Sequence, residues 1–439
     1  MKIYYKLPLL LLLILPSLLS GQKRWSLEEC IRYAWDNNLQ IQQQELAVEQ
    51  SENNLQQAKM NYIPSLNASF SHSMNWGRSV NLQTLEIIEN KLTQSTNANA
   101  RAGINLFEGF TKGNEVKSRT LQKEISTEEV SKIKNDISVE IARLYLQVLL
   151  SKEIVKTADQ SILSVEQQVE RTKKMVDAGS LAYSSLLEIE AQLAAERVQV
   201  VNAKNQLKSV LLSLVQLLDL ENTNDFDIQD VNVDFMIQGF SGESVDNLYQ
   251  LSQSLPQIIS AELKLKNSDI QLSLAKGRAF PVLSFSAGYG TYYSDSRDQP
   301  FMDQFNENRN PSMGFGLSIP IFNNSQTKTA IKNAKLGVRS SQIEVKSKRQ
   351  MLYKEIQQAN NDAFAYYERY LASERNVTAM QESFRYVQQK FDVGALNATD
   401  YSVAKANLFK AQSEFFQSKY QYVFQLKILD FYKGKPISL

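Results

Sequence analysis

The chain contains itself twice. AKMNYIPSL at 58–66 returns as AKGRAFPVL at 275–283, with Ala, Lys, Pro and Leu at identical spacing. AGSLAYSSLLEIEAQL at 178–193 returns as VGALNATDYSVAKANL at 393–408, which lays Gly179 over Gly394 and Leu181 over Leu396. A duplication on this scale requires two equivalent units, so whatever the first copy folds into, the second must fold into again. The copies read as 22–219 and 244–439, joined by a linker at 220–243 with one short strand packed around a waist.

Within each copy the expected order is helix, strand, polar loop, strand, long helix, tight turn, helix. Helices are expected over 27–61, 111–178 and 182–219 in copy one, and over 244–278, 325–393 and 398–432 in copy two. Pro64 and Pro281 end the first helix of each copy, because proline lacks an amide donor and disfavours helix in the residue before it. The long helices carry a seven-residue seam: Ile137, Ile141, Leu144 and Val148 continue in 4-3 steps to Val176, and Ile356, Ala363, Tyr370, Val377, Phe384 and Phe391 stand seven apart. Such a seam asks for coiled-coil packing. At about 1.5 Å per residue a long helix reaches roughly 100 Å, about the height of two shorter ones stacked, which suggests a palisade of equal columns.

Four stretches change period from seven to two. In 64–76, Leu66, Ala68, Phe70, His72, Met74 and Trp76 alternate with Ser65, Asn67, Ser69, Ser71, Ser73 and Asn75. In 97–107, Ala98, Ala100, Ala102, Ile104 and Leu106 alternate with Asn97, Asn99, Arg101, Gly103 and Asn105. In 281–293, Leu283, Phe285, Ala287 and Tyr289 oppose Ser284, Ser286 and Gly288; in 312–322, Phe315, Leu317, Ile319 and Ile321 oppose Gly314, Gly316 and Ser318. A hairpin on a soluble core alternates as well. Here, however, the polar parity is Ser, Asn and Gly with one Arg, each strand is about ten residues long, and aromatics gather at strand ends (Trp76, Phe107, Phe280, Tyr292, Tyr293, Phe322). Those are features of a strand that crosses a bilayer between interfacial belts. Lipid admits only helices and closed barrels, and a spanning barrel needs about eight strands, so four strands per chain imply several copies sharing one barrel. The apolar parity then faces outer-membrane lipid and the polar parity a wet lumen, with 77–96 and 294–310 as loops capping the outer end.

Composition removes other classes. A net charge of +1 carries no field for nucleic acid. The single Cys30 and single His72 leave no disulfide framework, His-based metal cluster or His-centred triad, and no phosphate loop, HExxH or GxSxG occurs. No enzyme activity and no cofactor are expected. Residues 1–21 read as a secretory signal cut near Gly21, with no cysteine after the apolar run to carry lipid. Beyond them no run of about 18 apolar residues marks a membrane helix.

The order WSLEECIRYAWDNN, AKxxxxPxL before the first strand of each copy, IPIFNN after the fourth strand and the two glycine turns resembles the TolC-like outer-membrane efflux and secretion channels across essentially the whole mature chain. That resemblance implies a mainly α fold with membrane strands: a homotrimer with a twelve-stranded β-barrel continued by a periplasmic α-helical barrel. It also implies a periplasmic adaptor that joins the channel to a proton-driven or ATP-driven inner-membrane pump. By the same resemblance Gly179, Ser180, Leu181, Gly394 and Ala395 form the hairpin tips that meet the adaptor, and Asp400, Glu188, Phe391 and Leu396 surround the periplasmic entrance. Val403 and Ser185 stand where further acidic residues are expected, and Leu396 replaces a basic gating residue, which favours an apolar constriction over an ion-pair latch. The expected function is the exit duct of a tripartite efflux pump for small molecules. Type I protein secretion is the alternative, and a periplasmic coiled-coil scaffold without a channel is a second.

Overall fold

The structure is a computed structural model that describes residues 24–439 apart from 82–83, 222–225, 238 and 241. The expected signal segment, 1–21, lies outside the described residues. In chain order the elements are β1 (Arg24–Trp25), α1 (Leu27–Asn37), α2 (Leu39–Met60), β2 (Ser65–Val80), β3 (Ile87–Glu108), α3 (Thr111–Asp177), α4 (Tyr183–Leu217), β4 (Asp227–Ile228), α5 (Val245–Leu251), α6 (Pro256–Gly277), β5 (Val282–Ser294), α7 (Phe301–Glu307), β6 (Asn310–Ser318), α8 (Gln326–Asp392) and α9 (Ala398–Tyr432). The duplication is kept to the residue in the helices: α3 and α8 each have 67 residues, α4 and α9 each have 35.

Several boundaries differ from the sequence expectation, each for a local reason. The helix expected over 27–61 breaks at Asn38, which turns extended while its side-chain amide donates to the Leu217 carbonyl at 3.0 Å. The helix expected over 244–278 breaks before Pro256, which opens α6 as its first residue and forces Leu255 into an extended conformation. The loop expected over 77–96 is mostly strand: β2 runs on to Val80 and β3 begins at Ile87. The strand expected to reach 322 ends at Ser318, ahead of Pro320, which has no donor for a ladder.

The chain divides into two compact units. The first contains residues up to Asn38, Ile137–Gly242 and Ala359–Leu439. Its core is the seam: Ile137, Ile141, Leu144, Val148, Ala158 and Val165 of α3 are buried, as are Ala363, Tyr370, Val377, Phe384 and Phe391 of α8. Polar layers interrupt the seam, notably Ser373 with Ser418 at 2.7 Å, both buried. The linker strand β4 pairs in parallel with β1. Buried Tyr145 fastens both, its hydroxyl donating towards the carbonyls of Trp25 at 3.1 Å and Gln229 at 3.0 Å. Lys152 adds ion pairs to Asp227 and Asp230, each 2.8 Å.

The second unit contains Leu39–Asp136 and Glu243–Gln358. It holds all four long strands in one antiparallel sheet of order β2-β3-β5-β6. Below the sheet α3 meets α6 through polar contacts: Ser118 donates to Asn267 at 2.8 Å, and Glu129 accepts from Lys264 at 3.0 Å and Ser260 at 2.9 Å.

Candidate functional site

The register of the sheet decides whether the four stripes merge or cancel. A slip of one residue would move every side chain of a strand to the other face. No slip occurs: Phe70 pairs with Ala98, Leu66 with Ala102, Ala102 with Ala287, Ile104 with Phe285 and Phe285 with Phe315, so apolar residues meet apolar ones across the sheet. On the opposite face Ser69 pairs with Asn99, Asn67 with Arg101, Arg101 with Gly288, Ser284 with Gly316 and Ser286 with Gly314. A bulge between Asn105 and Phe107 changes one assignment, because Phe107, not Leu106, stands opposite Leu283 on the apolar face.

Within a single chain both faces are open. Leu66, Phe70, Trp76, Tyr289, Phe315 and Leu317 are exposed, with Trp76 at 76%, while Leu283 and Phe285 are half-buried against sheet neighbours. Ser69, Ser71, Asn99, Arg101, Ser286 and Ser318 are exposed and Ser284 half-buried. Ile319 is exposed but lies one residue beyond β6. His72 occupies the apolar face and hydrogen-bonds Thr96 through Nδ1 at 2.9 Å. β5 and β6 pair over Val282–Gly290 and Asn310–Ser318, nine positions, the full length of β6, and β2 joins them from Ser65, level with Ser286. At about 3.4 Å per residue and a tilt of about 40° this is roughly 23 Å of height, close to the apolar band of an outer-membrane barrel. Among the described residues the edge strands β2 and β6 end the sheet without a further partner.

The segment expected as the second outer loop is folded. Helix α7 lies against β5: buried Gln304 bonds the backbone of Ser294 and Gln299, Thr291 donates to the Phe305 carbonyl at 2.6 Å, and the Tyr293 ring meets Phe301 at 4.8 Å. Thr291 and Tyr293 share the parity of Tyr289, so α7 closes the apolar face at that end of the sheet.

The two hairpin tips, in the first unit, are built alike. Gly179 and Gly394 adopt φ of +74° and +75°. Ser180 N–H then donates to Met175 and Ala395 N–H to Lys390, the six-residue closure that ends a helix with a left-handed glycine. Ser180, Gly179, Gly394 and Ala395 are exposed and Leu181 is half-buried. Asp400 is exposed in the first turn of α9, its backbone N–H capped by Asn397 at 2.7 Å, and Glu188 is exposed on α4.

Phe391 packs within the chain. It is buried in a cluster with Val165, Ile189, Phe384, Ala398 and Tyr401, its ring stacked on Tyr401 at 4.8 Å, and Leu396 packs on the same cluster. As placed, Phe391 joins the two hairpins of one chain. Three residues that the sequence did not single out surround it. Arg171 pairs with Asp392 at 2.9 Å and so links α3 to α8 at the tips. Lys405 is buried with its ammonium over the Phe384 ring at 5.2 Å, and burial pushes its pKa down, partly opposed by Glu196. Burial likewise pushes the Tyr401 hydroxyl up. The spacing of Tyr401 and Lys405, four apart on one helix face, could have marked them as seam residues.

Among the described residues no helix is long and apolar enough to cross a membrane, and no cluster of His, Cys, Asp or Glu could hold a metal ion.

Comparison with known proteins agrees with this geometry. The chain is 20% identical to the outer membrane protein TolC of Vibrio cholerae over 64% of each protein. It is 23% identical to the cation efflux system protein CusC of Escherichia coli over 63% of this chain and 57% of that one. Thus the chain spans just under two thirds of the first relative's length and less of the second's. A crystal structure of CusC superposes with a TM-score of 0.79 and 18% identity, covering 94% of this chain and 92% of that one, which shows the fold. The model of the family described as "Outer membrane efflux protein" matches residues 30–219 and 247–434, most of both copies of the repeat. On that coverage, the chain belongs to the outer membrane efflux protein family, whose members are non-catalytic channels of the outer membrane.

Proposed function

We propose that this chain is the exit duct of a tripartite efflux pump, passively conducting small molecules from the periplasm to the exterior. One observation carries the reading: from Leu66 to Phe70 and along the strands paired with it, four strands hold an apolar face opposite a Ser/Asn/Gly face with one Arg, and among the described residues both sheet edges are open. An open edge in hydrocarbon leaves backbone groups unpaired, so the sheet has to close with further copies. Three copies give the twelve-stranded barrel, lumen lined by Ser69, Ser71, Asn99, Arg101, Ser284, Ser286 and Ser318. The helical part continues it as a periplasmic tunnel. The repeat limits at 22–219 and 244–439 follow from the same reading.

Energy comes from an inner-membrane pump, reached through a periplasmic adaptor that meets the tips at Gly179–Leu181 and Gly394–Ala395. Asp400 and Glu188, exposed near these tips, supply negative charge at the entrance, where Phe391 and Leu396 act by holding the hairpins together. Three Asp400 carboxylates drawn together would attract cations. Purified protein in a planar bilayer should conduct and favour cations, and Asp400→Asn should shift the reversal potential towards zero. Absence of conductance sinks the duct; conductance with an unchanged reversal potential removes Asp400 from the entrance.

A further inference from the structure

Both copies of the repeat leave their second strand through the same turn. INLFEGF at 104–110 and IPIFNNS at 319–325 match in place, and Gly109 and Phe110 at φ of +63° each correspond to Asn324 at +51° and Ser325 at +62°. The first of these turns is filled from within the chain. Gly277, the last residue of α6, lies so close that a Cβ on Gly109 would stand 2.2 Å from the Gly277 carbonyl oxygen. Phe280 completes the contact, in an edge-on series with Phe110 at 6.4 Å and Phe107 at 5.4 Å. Strand pairing is the cause: β3 neighbours β5, so the helix that enters β5 arrives beside the turn that leaves β3.

Among the described residues the second turn has no such occupant. It follows β6, one edge of the sheet, while the repeat-mate of the Gly277–Phe280 segment, Met60–Ile63, enters β2, the other edge. Both halves are open to solvent: Met60 and Ile63 are exposed, Tyr62 is exposed with the Lys112 ammonium over its ring, and Ile321 and Phe322 are exposed at 93% and 81%.

We propose that Met60–Ile63 of one copy of this chain fills the Asn324–Ser325 turn of the next, repeating between chains the junction that Gly277–Phe280 makes within one. Side-chain sizes fit this occupant. Where the internal junction sets Gly109 against Gly277 and Phe110 against Phe280, the external one sets Asn324 against Met60 and Ser325 against Ile63, so bulk taken from one pair returns in the other. Packed cores tolerate such volume-conserving exchange. The surface is therefore a lock between copies at the foot of the sheet. It rests on the multi-copy barrel proposed above and adds where the copies engage.

The test uses the full chain in detergent with Cys30→Ala, carrying Ile63→Cys and Ser325→Cys, counterparts of the Phe280–Phe110 contact. A short thiol-bridging reagent should yield linked dimers and trimers that survive heating in denaturant, while each single-cysteine chain runs as a monomer. The pair Met60→Cys and Asn324→Cys, counterparts of the Gly277–Gly109 contact, repeats the measurement should the first variant fold poorly. Native mass measurement of the same samples separates the two ideas. An oligomer that neither pair can link overturns the junction and leaves the barrel standing; a monomer overturns both.

Discussion

Gly179 and Gly394 matter for the same reason: at φ near +75° a Cβ collides with its own backbone, whereas open space surrounds both positions. Gly179→Val should therefore cost about 1–2 kcal/mol through backbone strain alone, read as faster hydrogen exchange in the last turn of α3, with α4 packing unchanged. Lys405 works in the opposite direction. No carboxylate within ion-pair distance answers its buried ammonium among the described contacts; Glu196 acts at longer range. Because the folded-state pKa lies below that of the unfolded chain, the unfolded chain binds the extra proton. The native protein thus pays a penalty at neutral pH that fades as pH rises through the lowered pKa. Lys405→Met should raise the melting temperature at pH 7, by the equivalent of about 1 kcal/mol or more, and that advantage should shrink towards pH 10. Equal gain at both pH values would show that packing, not charge, is responsible. The Arg171–Asp392 pair was not legible in the sequence, because α3 and α8 lie far apart in the chain; for Lys405 the only sign was its spacing from Tyr401.

At the scale of the element, the sheet and the long helices illustrate different kinds of legibility. The seven-residue seam was readable because burial follows helical period alone, and Ile141, Ala158, Ala363 and Phe384 are all buried. The strand stripes were readable for parity, but their lengths were not: β3 begins at Ile87 since backbone pairing with β2 carries Thr93, Lys91 and Ile87 into the ladder regardless of polarity. The bulge that substitutes Phe107 for Leu106 was equally hidden, being a property of two strands rather than one. The faces can be separated by one pair of neighbours on β2. In refolding titrations into lipid, Phe70→Lys should destabilise by about 2–4 kcal/mol, as cations do on a lipid-facing strand, and Ser71→Lys should change stability little while altering conductance. Similar losses in both would place neither face in lipid.

For the whole molecule, the decisive quantity is the unpaired edge. Among the described residues β2 and β6 end the sheet, and in the barrel proposed above those edges are buried against other copies. The protein extracted in detergent should migrate as an oligomer that withstands heating, and urea or salt washes without detergent should leave it in the membrane. Release by urea alone would favour a peripheral coiled-coil scaffold. Phe391 is part of the packing between the hairpins of one chain, so Phe391→Ala should cost about 3–5 kcal/mol and loosen the tips, seen as easier proteolysis near Asp177 and Asp392.

The sequence alone determined the duplication, the helical seam and the alternation of the strands, since each depends on residue spacing along one chain and on local backbone preference. Tertiary structure decided which residues share a face across four strands, which turn is filled and which is bare, and where Phe391, Arg171 and Lys405 find their neighbours. Those outcomes depend on register and on contacts between segments hundreds of residues apart, and no local pattern encodes them.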